Sequence, residues 1–148
     1  MKRTLGFTTL AFLLLATLVL APAATAGPRG LEGSWRATGV VDGTTDATET
    51  LFTFSRGGTL IASSDTAANG NGHGTWERIG PRMFAATNVA FAYDANGVAA
   101  QVLETEITLE VARGGATFDA TFESTVKTLD GTVLLTVTGT ASGERIGN

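Results

Sequence analysis

The chain has 148 residues, of which 10 are basic and 14 acidic, and its formal net charge is −4. This negative balance, with no cluster of arginines, argues against nucleic acid or an anionic membrane as a partner. The chain contains no cysteine, which excludes disulfides, thiolate catalysis and cysteine-ligated metals. Its stability must therefore come from a continuous apolar core.

The first 26 residues have the pattern of a cleavable secretory signal peptide. Lys2 and Arg3 give a positive start, residues 10–20 form an apolar run, and small residues occupy positions 24–26. The run is short for a membrane span, so we predict cleavage after Ala26 and no stable membrane insertion afterwards. We expect a secreted protein, extracellular or periplasmic, whose domain covers residues 27–148. Without the leader the net charge is about −6.

The remainder of the chain contains eight runs rich in Val, Thr, Phe, Ile and Leu, separated by Gly-, Asn- and Asp-rich turns. Strands bounded this way, at this spacing, are typical of a small antiparallel barrel. We therefore predict an all-β fold, a single eight-stranded antiparallel up-and-down β-barrel. Closing the sheet on itself removes exposed strand edges. The predicted strands are residues 34–41, 48–55, 59–64, 73–78, 82–93, 98–112, 116–128 and 132–146.

Turn lengths predict how the last four strands pair. Residues 94–97 suit a three-residue hairpin loop with Gly97 in the left-handed position, whereas residues 113–116 and 129–132 suit two-residue loops. Partners across a hairpin have a constant sum of residue numbers, which places one apolar face of all four strands on the same side: the odd-numbered residues of the fifth, sixth and eighth strands and the even-numbered residues of the seventh. We take this face as the barrel interior. The predicted pairs include Tyr93–Ala99, Thr87–Thr105, Leu103–Val126, Thr105–Ser124, Phe122–Gly139 and Phe118–Gly143.

A row of polar side chains crosses this predicted interior. A buried hydroxyl costs about 1–3 kcal/mol unless it is hydrogen-bonded. Two interpretations stay open: the hydroxyls bond one another, or they orient a ligand. The predicted ligand contacts combine this row with apolar neighbours: Thr87, Gln101, Thr105 and Ser124, with Phe91, Tyr93, Leu103 and Phe122.

Residue types that support catalysis or metal binding do not form a recognisable motif. His73 is the only histidine, and a single histidine makes no metal site. Glu106 is predicted to face Glu123 across two strands, and Glu110 to face Asp119. Such like-charge pairs indicate a solvated outer surface, or a bridging cation such as calcium, although no calcium-loop signature is present. We predict no catalytic residue, no metal site and no cofactor.

Two short motifs at the ends of the barrel resemble those of lipocalins, members of the calycin superfamily. Gly33-Ser34-Trp35 opens the first strand, and the sequence Gly143-Glu144-Arg145-Ile146 closes the last. In that superfamily an early G-x-W tryptophan packs under a late arginine at the closed end, and the open end admits a hydrophobic ligand. The resemblance implies that Trp35 and Arg145 form a structural closure pair, a cation stacked on an aromatic face.

Three functions are consistent with such a barrel. The leading hypothesis is a non-catalytic, secreted carrier or scavenger of a small, mostly hydrophobic molecule held in the lumen. The second is a cyclase or isomerase in which Tyr93 or Gln101 polarises a hydrophobic substrate. The third is a filled barrel that serves as a structural or protein-binding module, with an outer apolar patch around Phe84, Ala86, Ala90 and Ala92.

Overall fold

The computed structural model describes residues 30–147, and these form one closed antiparallel barrel. Each strand pairs with the next in sequence, and β8 pairs with β1, which confirms the predicted up-and-down topology. The predicted signal peptide, residues 1–26, lies outside the described residues. Among those residues no helix is long and apolar enough to span a membrane. The strands are β1 Gly33–Val41, β2 Ala47–Ser55, β3 Thr59–Ser64, β4 Asn69–Arg78, β5 Met83–Tyr93, β6 Ala99–Val111, β7 Thr117–Thr128 and β8 Val133–Arg145.

The register of the last three strands agrees with the prediction. Leu103 lies opposite Val126, and Thr105 lies opposite Ser124. On β7 and β8 the bulky Phe122 faces Gly139. A Cβ added at Gly139 would lie 2.4 Å from the Phe122 ring, so glycine provides the room that the ring occupies. Large residues facing small ones allow the interior of a narrow barrel to be filled without strain.

The predicted register of β5 against β6 is wrong beyond the turn. Tyr93 pairs with Ala99 as expected, but the ladder then shifts, so that Ala92 pairs with Gln101 and Thr87 with Glu106. The bulge at Ala100 places one extra residue on β6, and this changes which face of β5 lies opposite the inward residues of β6. The even-numbered residues of β5 therefore face inward.

Burial along β5 agrees with this corrected register. Phe84, Ala86 and Ala90 are buried, whereas Thr87 and Phe91 are exposed. The outer apolar patch predicted around Phe84, Ala86, Ala90 and Ala92 is therefore wrong, because the first three of these side chains belong to the interior.

Two further differences concern turns. The β7–β8 connection is a three-residue loop rather than the predicted two, since Thr128 N donates to Thr132 O and Gly131 has a φ of +93°. A register shift between Val126 and Lys127 then restores the predicted pairing. Strand β4 also begins at Asn69, four residues before its predicted start, because the glycine-rich stretch there pairs with β5 across a bulge.

Large apolar side chains fill one end of the barrel. Trp35 packs against Phe118 with ring centroids 5.1 Å apart. Trp76 packs edge-on against both Phe54 and Phe84, at 6.2 and 5.8 Å. These rings and their aliphatic neighbours form the buried core of the barrel. Its fully buried members are Leu31, Trp35, Phe54, Leu60, Phe84 and Leu109.

Candidate functional site

A cavity of about 280 Å³ occupies the other half of the barrel interior. It extends from the Phe118 ring at the closed end to the loops that connect β1 with β2 and β3 with β4. Small residues, among them Ala62, Ala90 and Gly72, line much of its wall. The cavity exists because these positions lack the large side chains that fill the closed end. The larger apolar residues on its wall are Val41, Phe52, Leu103, Ile107, Leu109, Phe118, Phe122, Val126 and Val137.

Trp35 and Arg145 close the barrel below this cavity, as the resemblance implies. The guanidinium carbon of Arg145 lies 4.2 Å from the Trp35 ring centroid. The same guanidinium donates to the carbonyls of Gly115, Glu32 and Gly30 at 2.8, 2.5 and 2.7 Å. Arg145 thus ties the segment before β1 and the β6–β7 turn to the end of β8.

Glycine at position 33 permits this closure. Gly33 has a φ of +123°, and a Cβ there would lie 2.7 Å from Nη1 of Arg145. The short G-x-W motif therefore has a physical basis here, because a side chain at its first position would strain the backbone and displace the arginine.

The structure brings four of the eight predicted ligand contacts together on the cavity wall. Leu103, Thr105, Phe122 and Ser124 line the cavity. Gln101 does not line it. Thr87, Phe91 and Tyr93 are exposed, because the register shift between β5 and β6 directs the odd-numbered residues of β5 outward. The Tyr93 ring packs instead against Gly70 of β4, where a Cβ would lie 2.7 Å from the ring.

The β5 residue in the row of polar side chains across the interior is Asn88, and not Thr87 as the sequence predicted. It lies on β5 opposite Thr105, lines the cavity, and extends the row Thr105–Ser124 onto a third strand. The hydroxyls of Thr105 and Ser124 are 2.8 Å apart and hydrogen-bond each other. The interpretation that these two hydroxyls bond one another is therefore confirmed.

The Asn88 carboxamide is in a different situation. Its Oδ1 atom is the one buried side-chain polar atom in residues 30–147 that has no hydrogen-bond partner. The side chain lies over Gly72 of β4, and a Cβ at Gly72 would be 2.2 Å from Oδ1. Glycine thus makes room for an amide whose acceptor oxygen no neighbour satisfies. The sequence analysis did not place Asn88 in the interior, because the bulge at Ala100, which turns the even-numbered residues of β5 inward, was not predicted.

Charge is distributed unevenly between the two ends. The four loops around the open mouth contain Asp42, Asp46, Asp65, Asp94 and Asp130 and no lysine or arginine. The three loops at the closed end each contain one arginine, Arg56, Arg82 and Arg113, and no acidic residue. Carboxylates that surround an opening produce a negative potential there, which disfavours the approach of anions.

The aspartates at two of these loops also have a structural role. Asp94 Oδ1 accepts hydrogen bonds from the backbone amides of Val98 and Asn96 at 2.9 and 2.8 Å. These bonds hold the pKa of Asp94 below its usual value of 3.8. The Thr128 hydroxyl and the Thr132 amide likewise lower the pKa of Asp130. Both carboxylates stay ionised at neutral pH and stabilise the turns at the mouth.

The remaining titratable residues give no sign of a second site. Glu106 faces Glu123 and Glu110 faces Asp119, as predicted, and all four are exposed. Within residues 30–147, no three His, Asp or Glu side chains are grouped so as to hold a metal ion. His73 is exposed on β4. Asp46, at the mouth, is the one ionisable residue among the described residues that line the cavity. No family model, curated protein or solved structure matches the chain.

Proposed function

We propose that this protein is a lipocalin-like, calycin-type barrel, secreted after removal of residues 1–26, that binds one small and mostly hydrophobic molecule in its lumen. The cavity of about 280 Å³ is the observation that supports this function. Small-molecule pockets are concave, mostly apolar, and contain a few convergent polar groups, with volumes from roughly 300 Å³ upward. The Trp35–Arg145 contact supports the calycin comparison.

The size of the cavity restricts the ligand. An apolar cavity of about 150 Å³ binds benzene, and the present cavity is about twice as large. One or two rings, or a short branched chain, will fill it, whereas a long-chain lipid will not. Binding affinity will come mainly from the apolar surface that the ligand removes from water, at about 25 cal/mol per Å² before the cost of association is subtracted.

Binding of naphthalene, followed by NMR chemical shifts of the protein, tests the proposal directly. We expect the shifts to concentrate at residues of the cavity wall. Ala90→Phe places a ring in the lumen, because Ala90 lines the cavity beside Gly72, and should weaken binding by at least about tenfold. Val89→Phe is the matched control, since Val89 is the adjacent residue and is exposed. It should leave binding unchanged.

Mass spectrometry of the protein purified from its native medium gives a second test. Extraction under denaturing conditions should release a small apolar molecule from the wild type, and less of it from Ala90→Phe. If neither naphthalene nor benzene enters the barrel, and nothing co-purifies with it, the binding function is refuted.

A further inference from the structure

We infer that the ligand is uncharged and has a hydroxyl group, which hydrogen-bonds Asn88 Oδ1. This inference rests on the proposed function and specifies the ligand class. Asn88 lines the cavity, and its Oδ1, which solvent does not reach in this structure, has no hydrogen-bond partner among the described residues, so a rotation of the carboxamide is what would present this acceptor to a ligand in the lumen. A buried acceptor without a partner costs about 1–3 kcal/mol, so a ligand that presents a donor at this point gains affinity that a purely apolar ligand cannot.

The hydroxyls of Thr105 and Ser124, near Asn88, favour a ligand with a hydroxyl group over a ligand that can only donate a hydrogen bond. Thr105 and Ser124 share one hydrogen bond, and two hydroxyls that share one bond retain a proton that can be donated. Asn88 pairs across the sheet with Thr105, so the wall presents an acceptor and a donor on adjacent strands. A ligand hydroxyl, which both donates and accepts, can satisfy both.

The charges around the mouth favour an uncharged ligand over a carboxylate. Asp46 lines the cavity at its mouth, and four more aspartates lie in the surrounding loops without any lysine or arginine there. Among residues 30–147, no lysine, arginine or histidine lines the cavity wall. A carboxylate would lose its hydration inside the barrel without an ion pair in exchange, which is unfavourable.

Pairs of probes with the same shape test this inference. Phenol and toluene differ by a hydroxyl against a methyl, as do 2-naphthol and 2-methylnaphthalene, and benzoate and 2-naphthoate add the charge. Dissociation constants measured by isothermal titration calorimetry should show the hydroxyl compound of at least one pair binding about tenfold more tightly than its methyl partner. The carboxylate of that pair should bind more weakly than the hydroxyl compound.

Asn88→Leu should abolish this preference. Leucine has nearly the shape of asparagine and fits over Gly72, but it has no acceptor, so the ratio of the two dissociation constants should fall to about one. Thr87→Val is the matched control, because Thr87 is the adjacent residue and is exposed. It should retain the wild-type ratio. Circular dichroism of each variant verifies the fold.

The outcomes separate this inference from the function on which it rests. If toluene and 2-methylnaphthalene both bind the wild type as tightly as their hydroxyl partners, or if Asn88→Leu retains the preference, the hydroxyl inference is wrong and the carrier function stands. A variant that does not fold is replaced by Asn88→Met, with the same expectation. If no probe binds the wild type and no small apolar molecule co-purifies with it, both proposals are overturned, whereas a co-purifying molecule without a hydroxyl group overturns the hydroxyl inference alone.

Discussion

Replacing Gly143 with alanine will measure how closely the barrel interior is packed. Gly143 on β8 lies opposite Phe118 on β7. A Cβ there would lie 2.3 Å from two carbons of the Phe118 ring. Carbon atoms in contact lie about 3.5–4.0 Å apart, so the ring must retreat by more than about 1 Å. Phe118 is only 3 % exposed and packs against Trp35, so its ring can retreat only toward the cavity that it borders, at the cost of its contact with Trp35.

We expect Gly143→Ala to reduce the free energy of unfolding by about 3 kcal/mol, the upper end of the usual cost of overpacking. For a domain of this size the loss corresponds to a fall in Tm of roughly 10 °C. Urea unfolding followed by tryptophan fluorescence, together with a thermal scan, will measure both quantities. Gly114→Ala is the matched control, because no atom lies within 4 Å of a Cβ at that exposed turn position.

A double mutant identifies the cause of the loss. Phe118→Leu removes the ring atoms that the new methyl group contacts, so Gly143→Ala should cost less in that background than in the wild type, by about 0.5–3 kcal/mol. Simple additivity of the two substitutions, or a cost for Gly143→Ala no greater than that of Gly114→Ala, would refute the explanation from close packing.

Three further predictions concern the closed end, the mouth and the cavity. Arg145→Met retains packing over the tryptophan but loses three hydrogen bonds to backbone carbonyls. Urea unfolding should therefore show a free energy of unfolding lower by about 2–4 kcal/mol. A decrease under 1 kcal/mol would contradict the stabilising role of these hydrogen bonds. The pKa values of Asp94 and Asp130 are lowered in the folded protein, so their contribution to stability is present above the unfolded-state pKa and disappears as the pH falls through the lower folded-state pKa. In the wild type, the free energy of unfolding measured with urea should decrease as the pH falls from about 5 to 2, and the double substitution Asp94→Asn/Asp130→Asn should make this decrease smaller. An unchanged dependence on pH would show that these two carboxylates do not stabilise the fold. Gly72→Ala should displace the Asn88 carboxamide, because a Cβ would lie 2.2 Å from Oδ1, and calorimetry should show a smaller preference for phenol over toluene; an unchanged preference would contradict that placement.

The pairing of the last three strands was predicted correctly, although between β7 and β8 the predicted turn is one residue too short and a bulge offsets the error. Turn lengths placed Phe122 opposite Gly139 and Phe118 opposite Gly143, and the structure has both pairs. Each pair combines a ring with a residue that has no side chain, which is what the narrow interior requires. A register displaced by one residue would have lost this complementarity.

Strand β5 shows what turn length leaves undetermined. The hairpins that end at Gly97 and Gly131 are built alike, with a glycine at positive φ, 76° and 93°, and one extra residue soon afterwards on the second strand. The loop predicted between β7 and β8 is one residue too short, and the extra residue in the bulge of β8 happens to offset this error. The loop predicted between β5 and β6 has the correct length, so nothing offsets the bulge at Ala100. The predicted inner and outer faces of β5 are therefore exchanged.

Hydrophobicity also pointed to the wrong face of β5. Val89 and Phe91 are larger and more apolar than Ala86 and Ala90, yet the alanines face inward and the larger residues are exposed. Where β5 borders the cavity its inward side chains are Asn88 and Ala90, and larger side chains at these two positions would fill part of the space. Residue size, rather than apolar character, was therefore the signal that would have placed Asn88 in the lumen.

The separation of aspartates from arginines along the barrel axis gives the molecule a preferred orientation. Near a polyanionic surface, such as a layer of acidic polysaccharide, the end with Arg56, Arg82 and Arg113 is repelled less than the end with the aspartates, even though Arg56 and Arg82 are paired with Glu32 and Glu110. A molecule close to such a surface will therefore turn its Trp35 end toward it and its entrance toward the surrounding medium. Rising ionic strength will weaken this alignment, since the Debye length falls to about 8 Å at physiological salt.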